Sequence, residues 1–102
     1  DLRNSKVIDL VKILQCKGCK VHVHDPLIDS NILKDYYNVD LKDWEDLPHS
    51  EIIVSAVPHK QYLDMGIKNI LSKLLLGGTF IDIKSSFSKN QIENLGYNVW
   101  RL

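Results

Sequence analysis

Apolar positions along this chain switch repeatedly between a helical period and a strand period. Val7, Ile8, Leu10, Val11 and Leu14 recur at helical spacing, Asn4 or Ser5 is placed to cap the first turn, and Gly18 ends the run; together these predict an amphipathic helix over 5–17. The segment Lys20–His24 then alternates around the β-branched Val21 and Val23 and reads as a strand. It stops at Asp25-Pro26, because proline has no N–H for a ladder. Ile32, Leu33 and Tyr36 fall on one side of a short helix over 29–36, and a polar stretch without clear period follows. The near-continuous apolar run Ile52–Val57, closed by Pro58, is the pattern of a strand buried on both faces and therefore central in a parallel sheet. Leu63, Ile67, Ile70, Leu71 and Leu74 return to helical spacing and predict a helix over 61–76 that exits through Gly77-Gly78. Thr79–Ile83 reads as a third strand, 88–95 as a helix capped by Ser88, and Tyr97–Trp100 as a last strand.

Alternating helices and Val/Ile-rich strands specify an α/β fold: a Rossmann-like open parallel sheet with helices on both faces. Opening on a helix is unusual for that architecture, so the first strand is expected to be missing, upstream of Asp1. The chain also begins without methionine on a charged segment. Both features lead to the expectation that residues 1–102 are one domain of a longer protein.

With 44% apolar and 25% charged residues, the composition is that of a folded globular protein. Thirteen Lys and Arg balance thirteen Asp and Glu, so no chain-wide positive field attracts nucleic acid or an anionic membrane surface. No apolar run approaches the roughly 20 residues that span a bilayer, and the first residues have no signal-peptide core. Cys16 and Cys19 have C-x-x-C spacing, but a zinc site needs two further ligands; the alternative is a pair of small side chains at a helix end.

Ligands of such sheets bind outside the carboxyl ends of the strands, which here are Asp25-Pro26, Pro58-His59 and Lys84-Ser85-Ser86. Asp1-Leu2-Arg3-Asn4-Ser5 resembles the Asp-x-Arg-[Glu/Asn]-Ser segment of the C-terminal domain in the UDP-glucose/GDP-mannose dehydrogenase family. His24-Asp25-Pro26 resembles that domain's Tyr-Asp-Pro, and Phe80-Ile81-Asp82-Ile83-Lys84 its Phe-x-Asp-x-[Lys/Arg]. Ala56-Val57-Pro58-His59 and Trp100-Arg101-Leu102 are similar to the branch that oxidises UDP-N-acetylhexosamines.

The resemblance implies roles for three residues. Arg3 aligns with the arginine that reaches NAD in the neighbouring N-terminal domain; its rigid donor fork suits phosphate, and the competing reading is a local pair with Asp1. Lys84 aligns with the basic residue on the nucleotide-sugar, against the reading of a solvated loop lysine, and family members often carry arginine there. His59 is a polar loop residue beside the substrate rather than a catalyst. Asp25 reads as turn chemistry first, because no G-x-G-x-x-G fingerprint accompanies it.

For the full-length protein the resemblance implies a cytoplasmic, homo-oligomeric, NAD-dependent UDP-sugar 6-dehydrogenase that oxidises C6 to a uronic acid for polysaccharide precursors. This chain would bind the UDP moiety of UDP-N-acetylhexosamine or UDP-glucose beside the protein's own N-terminal NAD domain. It would be inactive alone, since neither Cys16 nor Cys19 has the Gly-Gly-x-Cys context of the family's nucleophile. The alternative is a stand-alone, non-enzymatic Rossmann-like ligand-binding or adaptor module, because fold alone does not fix function.

Overall fold

A computed structural model of the chain describes residues 5–28, 31, 34, 38, 39 and 41–102. The chain divides into two compact units, Asp1–Leu47 and Pro48–Leu102.

In the first unit, α1 spans Ser5–Cys16, within one residue of the helix that the apolar period predicts. It closes as expected at Gly18: the Cys19 N–H donates to the Leu14 carbonyl and the Gly18 N–H to the Gln15 carbonyl, both at 3.0 Å. Those two bonds satisfy carbonyls that a helix end otherwise leaves bare. Ile8 and Val11 of α1 are buried with Val23 and Val39, and Val7, Val21, Ile28 and Leu41 pack against them. The expected strand over 20–24 is reduced to a single parallel bridge, Val23 to Leu41, with the Lys42 N–H donating to the Val23 carbonyl at 2.8 Å. Within that segment only Val23 is buried, Val21, His22 and His24 being half-buried, and Asp25 just beyond it is buried as well. A short 3-10 helix, Trp44–Asp46, follows. The helix expected over 29–36 falls largely outside the described residues.

The second unit is built on three parallel strands: β1 (Ser50–Ser55), β2 (Leu74–Asp82) and β3 (Asn98–Arg101), in that spatial order. Helices α2 (Lys60–Met65) and α3 (Ile67–Leu71) connect the first pair, and α4 (Lys89–Asn94) connects the second. This is the Rossmann-like α/β arrangement expected from the sequence. Ser88 caps α4 as predicted, its Oγ accepting from the Gln91 N–H at 3.2 Å.

Two expectations are corrected here. The run Ile52–Val57 does not mark the middle of this sheet, because β2 lies between β1 and β3. The residues that demand full burial belong to β2: Phe80 is 0% exposed and Asp82 1%, whereas Ile52 on β1 is 51% exposed.

The single helix expected over 61–76 is also absent. Gly66, at φ 87, divides it into α2 and α3, a backbone setting that a side chain with a Cβ resists. The helix ends at Leu71, and Leu74 is buried at the start of β2. Helical spacing alone does not tell this leucine from the last residue of a helical face. Gly77 and Gly78 lie inside the strand, where pairing jumps from Ser50–Leu74 to Ile52–Thr79. A Cβ on Gly78 would approach the Glu51 and Leu75 carbonyl oxygens to 2.8 Å, so this pair serves an irregular strand entry rather than a helix exit.

Candidate functional site

The register of β1 and β2 decides which loops share an edge. Ser55 pairs with Asp82, and the Ile83 N–H continues the ladder onto the Ser55 carbonyl at 3.1 Å. Residues 56–59 and 83–88 therefore emerge side by side at the carboxyl end of the sheet. Arg101, paired with Asp82 from the other side, ends β3 at that edge too. The register thus sets the loops that carry His59 and Lys84 at the same edge of the sheet, which sequence separation alone does not show.

The loop after β2 is built around Asp82. Its carboxylate is buried, and it accepts the Ser86 N–H on Oδ1 at 3.0 Å and the Phe87 N–H on Oδ2 at 2.9 Å. A charged acceptor with two backbone donors is among the stronger arrangements available to a loop. Phe87 is further fixed by an edge-to-face contact with Phe80, ring centroids 5.7 Å apart at 87°, worth about 1 kcal/mol beyond the area it buries.

Between these anchors Ser85 adopts φ 52, a left-handed setting that costs a residue with a Cβ roughly 1–2 kcal/mol. Its N–H donates to the Asp82 carbonyl at 3.3 Å. Lys84 is carried on this tied turn with its side chain exposed. A loop tied in this way fixes where the Lys84 backbone stands and leaves its side chain in solvent.

The loop after β1 is shorter. The His59 N–H donates to the Val57 carbonyl at 2.9 Å, and the His59 carbonyl accepts from Tyr62 and Leu63 as α2 begins. His59 is half-buried, with its ring 5.8 Å from that of Tyr62. The adjacent Lys60 pairs with Asp64 one turn along the exposed face of α2.

Arg3 lies outside the described residues. Asp25 forms the turn that the sequence indicated, its Oδ1 accepting the Leu27 N–H at 2.7 Å, the two-residue reach of an Asx-turn. Asp25 and Pro26 also line a polar cleft in the first unit with His24, Lys42, Asp43 and Asp46. Cys16 and Cys19 are free, exposed thiols, and among the described residues no group of three His, Cys, Asp or Glu side chains is placed to hold a metal. No described helix is long and apolar enough to cross a membrane.

Sequence reasoning assigned no role to two residues of this edge. Asp82 carried a signal: it is the one charged position in the run Phe80–Ile83, and two serines follow the lysine. Arg101 stands in the Trp100-Arg101-Leu102 resemblance, but its contact with the loop spans sixteen positions and local pattern does not reveal it.

The described residues do not form a dinucleotide cradle. The turn after β1 is Ala56-Val57-Pro58-His59, with a proline where a pyrophosphate-binding turn needs glycine, and the close-packed Gly78 lies near the opposite end of β2.

Comparisons with known proteins give the family of the chain. Residues 1–89 match the model of the UDP-glucose/GDP-mannose dehydrogenase family, UDP binding domain. Protein CapL of Staphylococcus aureus is 33% identical over 102 residues, all of this chain and 24% of that protein. A UDP-N-acetyl-D-glucosamine 6-dehydrogenase of Salmonella typhi is 34% identical over 70 residues, 69% of this chain and 16% of that protein. The chain thus spans a quarter or less of the length of these relatives. No solved structure matches it significantly. By the extent of the family match and the alignment with its relatives, the chain belongs to the UDP-glucose/GDP-mannose dehydrogenase family and corresponds to its UDP-binding domain.

Proposed function

We propose that this chain is the nucleotide-sugar-binding C-terminal domain of an NAD-dependent UDP-sugar 6-dehydrogenase, and that Lys84 meets the diphosphate of the substrate. The observation that carries this reading is the exposed Lys84 ammonium on a turn pinned by the buried Asp82 carboxylate, at the carboxyl edge of a parallel sheet. Open α/β sheets bind ligands at that edge, and a lysine there supplies a point charge to phosphate oxygens. His59, on the neighbouring loop, offers a ring N–H to a ribose hydroxyl or phosphate oxygen. Arg3 takes, on the family resemblance, the role of a contact to the cofactor held by the N-terminal domain.

The chain's contribution is to bind and orient. Fixing the diphosphate holds the sugar in one pose, and positioning of this kind lowers a barrier by removing motion that would otherwise be lost in the transition state. The 34% identity to the Salmonella enzyme, with the Val57-Pro58-His59 turn, favours a UDP-N-acetylhexosamine over UDP-glucose. The full-length protein would then act as a cytoplasmic homo-oligomer supplying uronic acid precursors for a polysaccharide.

Titration calorimetry of the full-length protein with UDP, UDP-glucose and UDP-N-acetylhexosamines tests the reading. Loss of one charge-assisted phosphate contact in Lys84→Ala is expected to weaken UDP binding about tenfold and to leave the melting temperature unchanged. Equal affinity of the variant and the parent for UDP would remove Lys84 from the site.

A further inference from the structure

We infer that Arg101, at the end of β3, is a positioning residue for Lys84: it clasps the Ser85 turn and so fixes where the lysine stands. The inference rests on the reading of Lys84 as the diphosphate contact.

The register places Arg101 beside Asp82, so the last residue of β3 leaves the sheet next to the root of the lysine loop. Its Nη2 donates to the Ser85 carbonyl at 3.4 Å, and the Ser85 Oγ donates to the Leu102 carbonyl, also at 3.4 Å. The two contacts run in opposite directions between the same pair of segments. They act on the residue that most needs support, since Ser85 holds a left-handed φ of 52 and would relax toward the ordinary regions if released.

The far side of the turn is held by Asp82 through Ser86 and Phe87, and its root by Ile83 on Ser55. Arg101 and Leu102 hold the centre. Each contact is long and exposed, so the clasp contributes little to global stability. Its effect falls on a single local geometry, the one that sets the Lys84 backbone.

The test is a double-mutant cycle by UDP calorimetry on the full-length protein. Arg101→Ala is expected to weaken UDP binding about fivefold, and to weaken it no further in a Lys84→Ala background, because its influence passes through the lysine. Arg101→Gln keeps a donor for the Ser85 carbonyl without the charge and is expected to bind UDP within about twofold of the parent; it also stands in if the alanine variant melts early.

Full affinity in Arg101→Ala overturns the proposal. An effect that persists in the Lys84→Ala background, or a glutamine variant as weak as the alanine one, also overturns it, because each would mean that the guanidinium meets the ligand directly. If Lys84→Ala alone binds UDP normally, the parent reading fails and this one falls with it.

Discussion

Both units of this chain place a buried aspartate where an extended segment ends, and they use it differently. Asp25, 6% exposed, accepts an N–H two residues ahead and tightens the chain into a turn with Pro26. Asp82, 1% exposed, accepts N–H groups four and five residues ahead and so supports an open loop. The reach of the carboxylate sets how much chain is left free between its anchors. One residue ahead of Leu27 leaves room only for proline; three residues ahead of Ser86 leave room for a lysine on display. The same side chain, with a reach of two residues in one case and of four and five in the other, makes a corner in one unit and a platform in the other.

Removing each carboxylate should show this difference. Asp82→Ala leaves two part-buried backbone donors without their acceptor and is expected to cost about 3 kcal/mol in a chemical denaturation curve, with UDP binding lost alongside. A cost below about 1 kcal/mol would mean that the loop after β2 keeps its shape without the carboxylate. Asp25→Ala removes a bond of shorter reach and is expected to cost about 1–2 kcal/mol, with Asp25→Asn recovering most of it because asparagine also forms Asx-turns. Equal losses for the two alanine variants would erase the distinction between corner and platform.

A smaller effect belongs to the segment that leads into Asp25. Burial first, and then the cations of Lys42 and Lys20, hold the His22 imidazole below its ordinary value of 6.5. The unfolded chain therefore takes up this proton before the folded one as pH falls. The associated stability is complete above about pH 6.5 and is lost on acidification toward the folded value. Denaturation curves recorded at roughly pH 7 and pH 5 should show His22→Gln less sensitive to acid than the parent. An identical pH dependence in the two proteins would assign the acid response to other groups.

Much of the fold was legible in the sequence because its signals were local. The helical period of Val7–Leu14, the stop at Gly18 and the Ser88 cap each depend on residues within one or two turns, and each is found in place. The helix over 61–76 failed for an equally physical reason. Leucines at 63, 71 and 74 satisfy a helical period whether or not the backbone is helical, and that period does not register the break at Gly66.

The site divides along the same line. His59 and Lys84 could be nominated from strand ends, since each closes a visible apolar run. That they share an edge follows from the Ser55–Asp82 pairing, which local pattern does not encode. Arg101 becomes interpretable only once β3 is set against β2.

The family match stops at residue 89, but the sheet does not. β3, at 98–101, supplies the neighbour of Thr79–Asp82 on β2, the strand that carries the fully buried Phe80. A protein trimmed to the matched boundary would turn that central strand into a raw edge, its N–H and C=O groups open to pairing with other molecules. For recombinant production, the practical domain limit lies beyond the last residue of β3, and shorter versions are expected to aggregate rather than merely to bind less well.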